Sequence, residues 1–175
     1  KLRTHKDFLP DCSRIALVDG QIAGVIMYFK CMIHGEDGDV EVASFGPLCV
    51  DHKYKNCGIG RKLLEETIPL VKEAGFPGIV IMGEPYYYPK FGFQRCREFG
   101  ITDMDGNAYD PFMGLELIEG GLHIKGGRFE ESSVVEECTE EALAELEKDF
   151  PPLKKISQPC QWSYENAYDD REGYH

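Results

Sequence analysis

The chain has 175 residues, of which 42% are hydrophobic and 29% charged, and these values are typical of one ordinary globular domain with a real core. No segment approaches the roughly 18 consecutive apolar residues that span a bilayer, so no membrane partner is predicted. The net charge of −12 argues against a nucleic-acid partner, because phosphates require a basic face. The acidic balance is compatible with a cationic substrate.

The seven cysteines are scattered, odd in number and never spaced as CxxC. A secreted disulfide framework usually shows an even count at tight spacing, so the sequence predicts a reducing, cytoplasmic setting. No cysteine or histidine pair has the spacing of metal ligands, and no metal site is predicted. Cys31 and Cys49 lie in apolar runs and are predicted to be small core residues.

Two strand pairs are predicted in the first fifty residues. The stretch RIALVDGQIAGVIMYFKCMI predicts two strands joined at Asp19-Gly20, a strong hairpin signal. A Gly/Asp-rich turn at 35–39 leads into an extended run over 40–50. Gly46-Pro47 interrupts that run. Because proline has no N–H and glycine often marks a bulge, the strand is predicted to split or kink there.

The rest of the chain predicts helices and strands in alternation around one central sheet. GIGRKLLEETIPLVKEAG has helical spacing and ends at Gly75, despite Pro69. GIVIMG is typical of a strand buried on both faces, and FGITDMDG and FMGLELI predict further strands. TEEALAELEKDF predicts a helix with Thr139 as N-cap and Pro151-Pro152 as its stop. The tail SQPCQWSYENAYDDREGYH predicts loop, or a segment that wraps the domain.

A glycine turn follows the interrupted strand. A strand ending at Val50, a short loop and then KNCGIG at a helix start has the geometry of a phosphate site, because free N–H groups and the helix dipole favour an anion. A tight turn that binds nothing is the alternative. Two nucleotide signatures do not fit, since the dinucleotide fingerprint and the NTPase phosphate loop both require glycine where Leu63 stands.

Two motifs resemble those of a known family. VDHKYKNCGIGRKLL resembles motif A of the GNAT superfamily of acyl-CoA-dependent N-acetyltransferases, [Q/R]-x-x-G-x-[G/A], with Lys55 where Gln or Arg is usual. YYYPKFGF resembles the family's Y-x-x-x-G-F segment, with Tyr88 four residues before Gly92. FGPLCV and FMGLEL resemble one bacterial subgroup of small GNAT proteins. The resemblance covers about residues 14–118.

The resemblance implies an α/β (α+β) fold with a mixed central sheet and helices on both faces. Its fourth and fifth strands, at about 43–50 and 79–84, are expected to splay so that the cofactor inserts between them. Residues 1–118 are predicted to form the acetyltransferase domain, with its first strand and helix shortened or upstream of Lys1. Residues 119–175 are predicted to be an acidic extension with one helix at about 139–150, packed on the same domain. A homodimer is a further prediction by analogy.

The resemblance also implies acetyl-CoA as the acyl donor. Backbone groups at the end of the fourth strand are expected to pair with the pantetheine arm as an added strand would. The glycine turn and two flanking cations are expected to hold the pyrophosphate. The predicted cofactor-binding residues are Leu48, Cys49, Val50, Lys55, Asn56, Cys57, Gly58, Ile59, Gly60 and Arg61.

Direct acetyl transfer to an amine requires an acid for the departing thiolate. Motif position assigns that role to Tyr88, with Tyr87 as the alternative. Some family members use a strand-four glutamate as base, but Ser44 occupies that position, which leaves Glu84, Glu41 or a water chain. The predicted function is N-acetylation of a primary amine on a small molecule or peptide. The alternative is an acyl-CoA-binding sensor with little or no turnover.

Overall fold

The computed structural model describes residues 2–136 and 139–150. Within them one sheet is built from β1 (Phe8–Val18), β2 (Gln21–Gly35), β3 (Gly38–Val50), β4 (Gly78–Met82), β5 (Gln94–Arg95), β6 (Thr102–Asp103), β7 (Phe112–Glu116) and β8 (Arg128–Glu130). The α-helices are α1 (Ile59–Glu73), α2 (Ser133–Glu136) and α3 (Glu140–Glu147). No helix in this described part combines the length and apolarity that crossing a bilayer takes.

The strand order is β5-β7-β4-β3-β2-β8-β6, and β1 pairs with the first half of β2. Most neighbours are antiparallel, whereas β3–β4 and β6–β8 are parallel. Helix α1 makes the crossover from β3 to β4, as a parallel connection requires. The predicted α+β fold with a mixed central sheet is confirmed.

Both predicted irregularities of the first three strands are present. Asp19 and Gly20 adopt positive φ of 51° and 77°, the conformation that a two-residue hairpin turn requires. In the next hairpin Phe45 pairs with Tyr28 and Leu48 pairs with Ile26, so Gly46 and Pro47 together oppose Met27. This two-against-one arrangement is a β-bulge and confirms the predicted interruption.

The strands on either side of α1 separate soon after they meet. A single register pair, Ala43 with Ile79, joins β3 to β4. From there β3 continues to Val50 and β4 to Met82 without further ladder pairing between them. The predicted splay is confirmed.

The two faces of the sheet bury separate hydrophobic clusters. Side chains alternate along β4, so Ile79 and Ile81 belong to the cluster under α1 and Val80 to the cluster on the opposite face. Leu64 and Val71 of α1 complete the first cluster. The second is covered by short helical elements, namely the 3-10 helix Cys96–Phe99 and α2, and by the loops between them.

Helix α1 is also tied to the sheet by a buried polar contact. The Thr67 hydroxyl donates to the Leu63 carbonyl at 2.6 Å, so the Tyr28 hydroxyl, 3.0 Å from Thr67 Oγ1, acts as donor to it. Both residues are fully buried. The contact fixes the helix over β2 at a point about two turns from its N-terminus.

Residues after 118 contribute to the same core and sheet. Leu122 is fully buried and packs on Gly78 and Gly114, where the missing side chains leave room for it. Strand β8 pairs with β2 at Met32–His34. The division of the chain at residue 118 remains a prediction.

A histidine bridge supports β8. His34 lies 3.0 Å from Asp39 and 2.9 Å from Glu130, on the two strands that flank β2. Hydrogen bonds to Glu130 and then Asp39 raise the pKa of His34, because both favour the imidazolium. A protonated His34 can therefore donate to both carboxylates at once.

Two predictions from the sequence, the burial of Cys49 and the strand in FGITDMDG, are corrected by the structure. Cys31 is buried as predicted, but Cys49 is exposed, because the Gly46–Pro47 bulge reverses the alternation of side chains along β3. In FGITDMDG only Thr102–Asp103 is strand, since the Asp103 carboxylate accepts the N–H groups of Asp105 and Asn107 and turns the chain.

The predicted acidic helix is present as α3. It begins at Glu140, and the Thr139 carbonyl accepts the Leu143 N–H at 3.0 Å. The predicted stop at Pro151-Pro152 and the predicted tail lie outside the described residues.

The Tyr28–Thr67 contact predicts a double-mutant cycle. Thr67→Val leaves the Tyr28 hydroxyl buried without its acceptor, and we expect a loss of about 1–3 kcal/mol in the free energy of unfolding. Tyr28→Phe removes donor and hydroxyl together and should cost about 1 kcal/mol. The double variant should lose less than the sum of the two, measured by urea unfolding. Strict additivity would show that the contact contributes nothing to stability.

Candidate active site

The glycine turn links the end of β3 to α1. Asp51 caps a short 3-10 helix by accepting the Lys53 N–H at 2.9 Å. Asn56 and Gly58 then adopt positive φ of 64° and 80°, and α1 begins at Ile59. Glycine at 58 suits a left-handed backbone that most side chains disfavour.

Free backbone donors lie at the start of α1. The first N–H groups of an α-helix have no intrahelical acceptor, so those of Ile59, Gly60 and Arg61 point out of the helix end. The N–H of Cys57 differs, because it donates to the Tyr54 carbonyl at 3.2 Å within the turn. Of the predicted backbone donors, Cys57 is therefore already engaged.

The two predicted cations differ in their surroundings. Arg61 Nε lies 2.6 Å from the Glu65 carboxylate one turn along α1, so part of its charge is compensated. Lys55 is exposed, and within residues 2–136 and 139–150 no ion pair ties it to a carboxylate. Lys55 is thus the more available cation of the two.

The end of β3 presents an open edge toward the splay. The Asp51 N–H donates to the Ala23 carbonyl of β2 at 2.9 Å. This bond determines which of the preceding residues direct their backbone N–H and C=O groups toward β2. In an antiparallel pair the N–H and C=O of alternate residues face the same side. Those of Leu48 and Val50 therefore face away from β2, toward the opening, whereas those of Cys49 face β2.

The tyrosine segment follows β4. Tyr88 begins a 3-10 helix, Tyr88–Phe91, and its ring lies 5.9 Å from Phe45 of β3 and 5.5 Å from Phe93 between centroids. The ring also packs on Gly83, where a side-chain carbon would overlap it. Tyr88 therefore lies beside the opening between β3 and β4.

The pKa of Tyr88 is raised to about 12. Burial is the main cause, because it disfavours the tyrosinate, and the nearby Tyr87 and Glu84 add to it. The hydroxyl is therefore protonated at neutral pH and is available as a hydrogen-bond donor.

The three candidate positions for a base are unlike one another. Ser44 is buried, and Glu41 is exposed and pairs with Lys30 at 3.2 Å, at the end of β3 far from the glycine turn. Glu84 is half-buried and lies two residues after the end of β4, and its carbonyl accepts the N–H groups of Tyr87 and Tyr88. Glu84 is the candidate that the fold places beside the tyrosine segment.

Sequence reasoning missed two features of this site. Gly83 makes room for the Tyr88 ring, and its only signal was its position between a buried strand and Pro85. The Tyr87 hydroxyl lies next to the first turn of α1, and a Cβ atom added at Gly60 would be 3.5 Å from it. No spacing rule predicts which of three adjacent tyrosines does so.

The parallel β3–α1–β4 unit, with its splayed strands and glycine turn, is the arrangement that the resemblance to GNAT acetyltransferases implies. Residues 11–95 match the acetyltransferase (GNAT) domain family. The uncharacterised N-acetyltransferase YhbS of Escherichia coli K12 is 33% identical over 86 residues, which cover 45% of this chain and 50% of YhbS. YjhQ of the same strain is 28% identical over 87 residues, which cover 50% of this chain and 48% of YjhQ. The chain thus spans about half the length of these curated relatives.

Solved structures agree on the fold. YhbS from Escherichia coli, crystallised with CoA, has a TM-score of 0.61 at 23% identity, over 71% of this chain and 69% of that one. A GNAT family acetyltransferase from Brucella melitensis, crystallised with acetyl-CoA, has a TM-score of 0.53 at 25% identity, over 69% and 66%. Residues 11–95 thus match the GNAT domain family, and the described chain has the fold of these acetyltransferases.

The packing of Tyr88 on Gly83 predicts the effect of a single methyl group. In Gly83→Ala the new carbon would lie 2.6 Å from Tyr88 Cδ2, so the ring must move, and we expect a loss of about 1–3 kcal/mol in urea unfolding. Gly46→Ala is the matched control, since its nearest neighbour would be 3.9 Å away. Equal stability of the two variants would contradict the described position of the ring.

Proposed function

We propose that this protein is an N-acetyltransferase that moves an acetyl group from acetyl-CoA to a primary amine of a small molecule or peptide. The amine attacks directly, in a complex that holds both substrates. The observation that carries the proposal is the continuity of the open β3 edge with the free N–H groups of α1, with Tyr88 beside them. The CoA and acetyl-CoA found in the YhbS and Brucella structures support the same donor here.

The donor would lie along β3 and end at α1. Leu48 and Val50 offer their backbone groups to the amides of the pantetheine arm, as an added strand would. The N–H groups of Ile59, Gly60 and Arg61 hold the pyrophosphate, where the helix dipole also favours negative charge. The side chain of Lys55 adds a cation at the same end.

Tyr88 acts in this proposal as hydrogen-bond donor to the sulfur that leaves. Its pKa of about 12 exceeds that of a cysteine-like thiol, about 8.5, by roughly 3–4 units. Full transfer of the proton to the thiolate would thus be uphill by roughly 5 kcal/mol. A strong hydrogen bond, or transfer in concert with solvent, fits the environment better than a free tyrosinate.

Glu84 is the residue that we propose as acceptor of the amine proton, directly or through water. It lies two residues after the end of β4, close enough to Tyr88 for its charge to raise that tyrosine's pKa. Ser44, at the strand position where some family members have glutamate, cannot take a proton at neutral pH. The acidic balance of the chain favours a cationic amine as acceptor.

The proposed setting is reducing and cytoplasmic. Five cysteines lie in the described part of the chain, and all five are free thiols, two of them exposed. A homodimer remains part of the proposal by analogy alone.

The proposed acetyl-CoA site can be tested by calorimetric titration of two variants that place the same side chain at a positive-φ glycine. Gly58→Trp should abolish acetyl-CoA binding, because the indole would occupy the space in front of the free N–H groups. Gly75→Trp, at the other end of α1, also replaces a positive-φ glycine with open space around it and should bind as wild type. Circular dichroism verifies folding of both, and Gly60→Ala serves as a milder second variant if Gly58→Trp unfolds. No binding by folded wild type would overturn the proposed function.

The role of Tyr88 predicts a separation of binding from turnover. Tyr88→Phe should lower kcat about 100-fold with any amine that supports CoA release, and leave the Kd for acetyl-CoA within about twofold. Tyr86→Phe is the control, since Tyr86 is 68% exposed. Unchanged kcat in Tyr88→Phe would exclude the proposed role. A wild type that binds acetyl-CoA but turns over no amine would favour the sensor function instead.

A further inference from the structure

The Tyr87 hydroxyl lies over the first turn of α1. A side-chain carbon added at Gly60 would meet Tyr87 Oη at 3.5 Å and Val50 Cγ2 at 3.6 Å. Gly60 is therefore the floor of a narrow cleft, with the end of β3 on one side and Tyr87 on the other. The free N–H groups of α1 lie in this same first turn of the helix.

The Tyr87 hydroxyl is a donor whose hydrogen bond is not used within the part of the chain that the structure describes. Burial is the main reason that the pKa of Tyr87 is raised, while Arg61 lowers it and Glu65 raises it, so these two charged residues of α1 lie near the hydroxyl. The hydroxyl is thus protonated at neutral pH. Within residues 2–136 and 139–150 it has no hydrogen-bond partner.

A lysine lies against the same ring. Lys90 Nζ is 3.6 Å from the centroid of the Tyr87 ring and 5.4 Å from that of Phe91, both cation–π distances. In the part of the chain that the structure describes, no carboxylate forms an ion pair with Lys90. The 3-10 helix Tyr88–Phe91 thus brings an uncompensated cation beside the cleft, where Arg61 shares its charge with Glu65.

We propose that Tyr87 and Lys90 form the second wall of the phosphate site, opposite Val50. Tyr87 donates a hydrogen bond to a phosphate oxygen of CoA, and Lys90 supplies the cation that Arg61 only partly provides. This inference rests on the proposed function and deepens it, because it assigns ligand contacts to two residues outside the glycine turn. It also gives the adjacent tyrosines different tasks, with Tyr87 at the phosphates and Tyr88 at the sulfur.

The test is calorimetric titration of the full chain with CoA and with 3′-dephospho-CoA. Tyr87→Phe keeps the ring under Lys90 and removes only the hydroxyl, and we expect it to weaken CoA binding about tenfold. Lys90→Met keeps an apolar stem on the ring and removes the charge, with a similar expected loss and a shallower salt dependence. Lys72→Met, in the last turn of α1, is the control for general charge and should bind as wild type.

The two ligands identify which phosphate is contacted. A loss in Lys90→Met that is seen with CoA but not with 3′-dephospho-CoA assigns the lysine to the 3′-phosphate, and an equal loss with both assigns it to the pyrophosphate. Either result supports the proposal. Variants that bind both ligands as tightly as a binding wild type overturn it and leave the proposed function intact. A wild type that binds neither ligand overturns the proposed function itself.

Discussion

The loss of pairing between β3 and β4 is the constraint on which the rest of the site depends. Two parallel strands that meet at one register pair and then separate leave a row of backbone donors and acceptors without partners in the described part of the chain. The bulge at Gly46–Pro47 lies within this stretch of β3 and sets which residues face the gap. An extended chain rich in amides is the natural occupant of such an edge, which is why a pantetheine arm fits it better than a flat aromatic ligand would.

Rigid packing on both sides keeps this gap in a defined place. One hydrophobic cluster packs α1 against the sheet, and the other covers the opposite face of the sheet. The gap is therefore bordered by packed secondary structure and not by loops. The Tyr28–Thr67 contact adds direction to that packing, because a hydrogen bond fixes rotation and translation of the helix where apolar contacts alone tolerate sliding. The start of α1 consequently lies near the end of β3, so that under the proposed function donors from both elements bind the same ligand.

Much of the fold could be predicted because it depends on local chemistry. Asp19-Gly20 specifies a turn by itself, and GIVIMG has no polar residue that could face water. The exposed Cys49 could not be predicted, because a bulge shifts the alternation only once its partner strand is known. FGITDMDG has the composition of a strand, but the Asp103 side chain satisfies backbone N–H groups that a ladder would otherwise use.

The site was predictable to the same degree and for the same reason. The glycine turn is a local motif, and its residues are where the motif places them. The separate positions of Tyr87 and Tyr88 depend on a 3-10 helix that turns the Tyr87 ring toward α1 and the Tyr88 ring toward Phe45. Three adjacent tyrosines in a sequence do not indicate which of them takes which position. The position of Lys90 could not be predicted from the sequence for a related reason. It packs on the aromatic ring of Tyr87 and not against a carboxylate whose spacing would indicate an ion pair.

The position of Leu122 has a consequence for where this domain can be cut. The match to the family's domain ends at residue 95, yet Leu122 fills the space above Gly78 and Gly114, on the two strands that form the far side of the gap. A shortened chain that follows the limits of similarity would leave those strands with a leucine-sized hole, which costs about 2–5 kcal/mol when a buried leucine is lost. The buried core of this domain therefore includes residues beyond the segment that matches the family's domain.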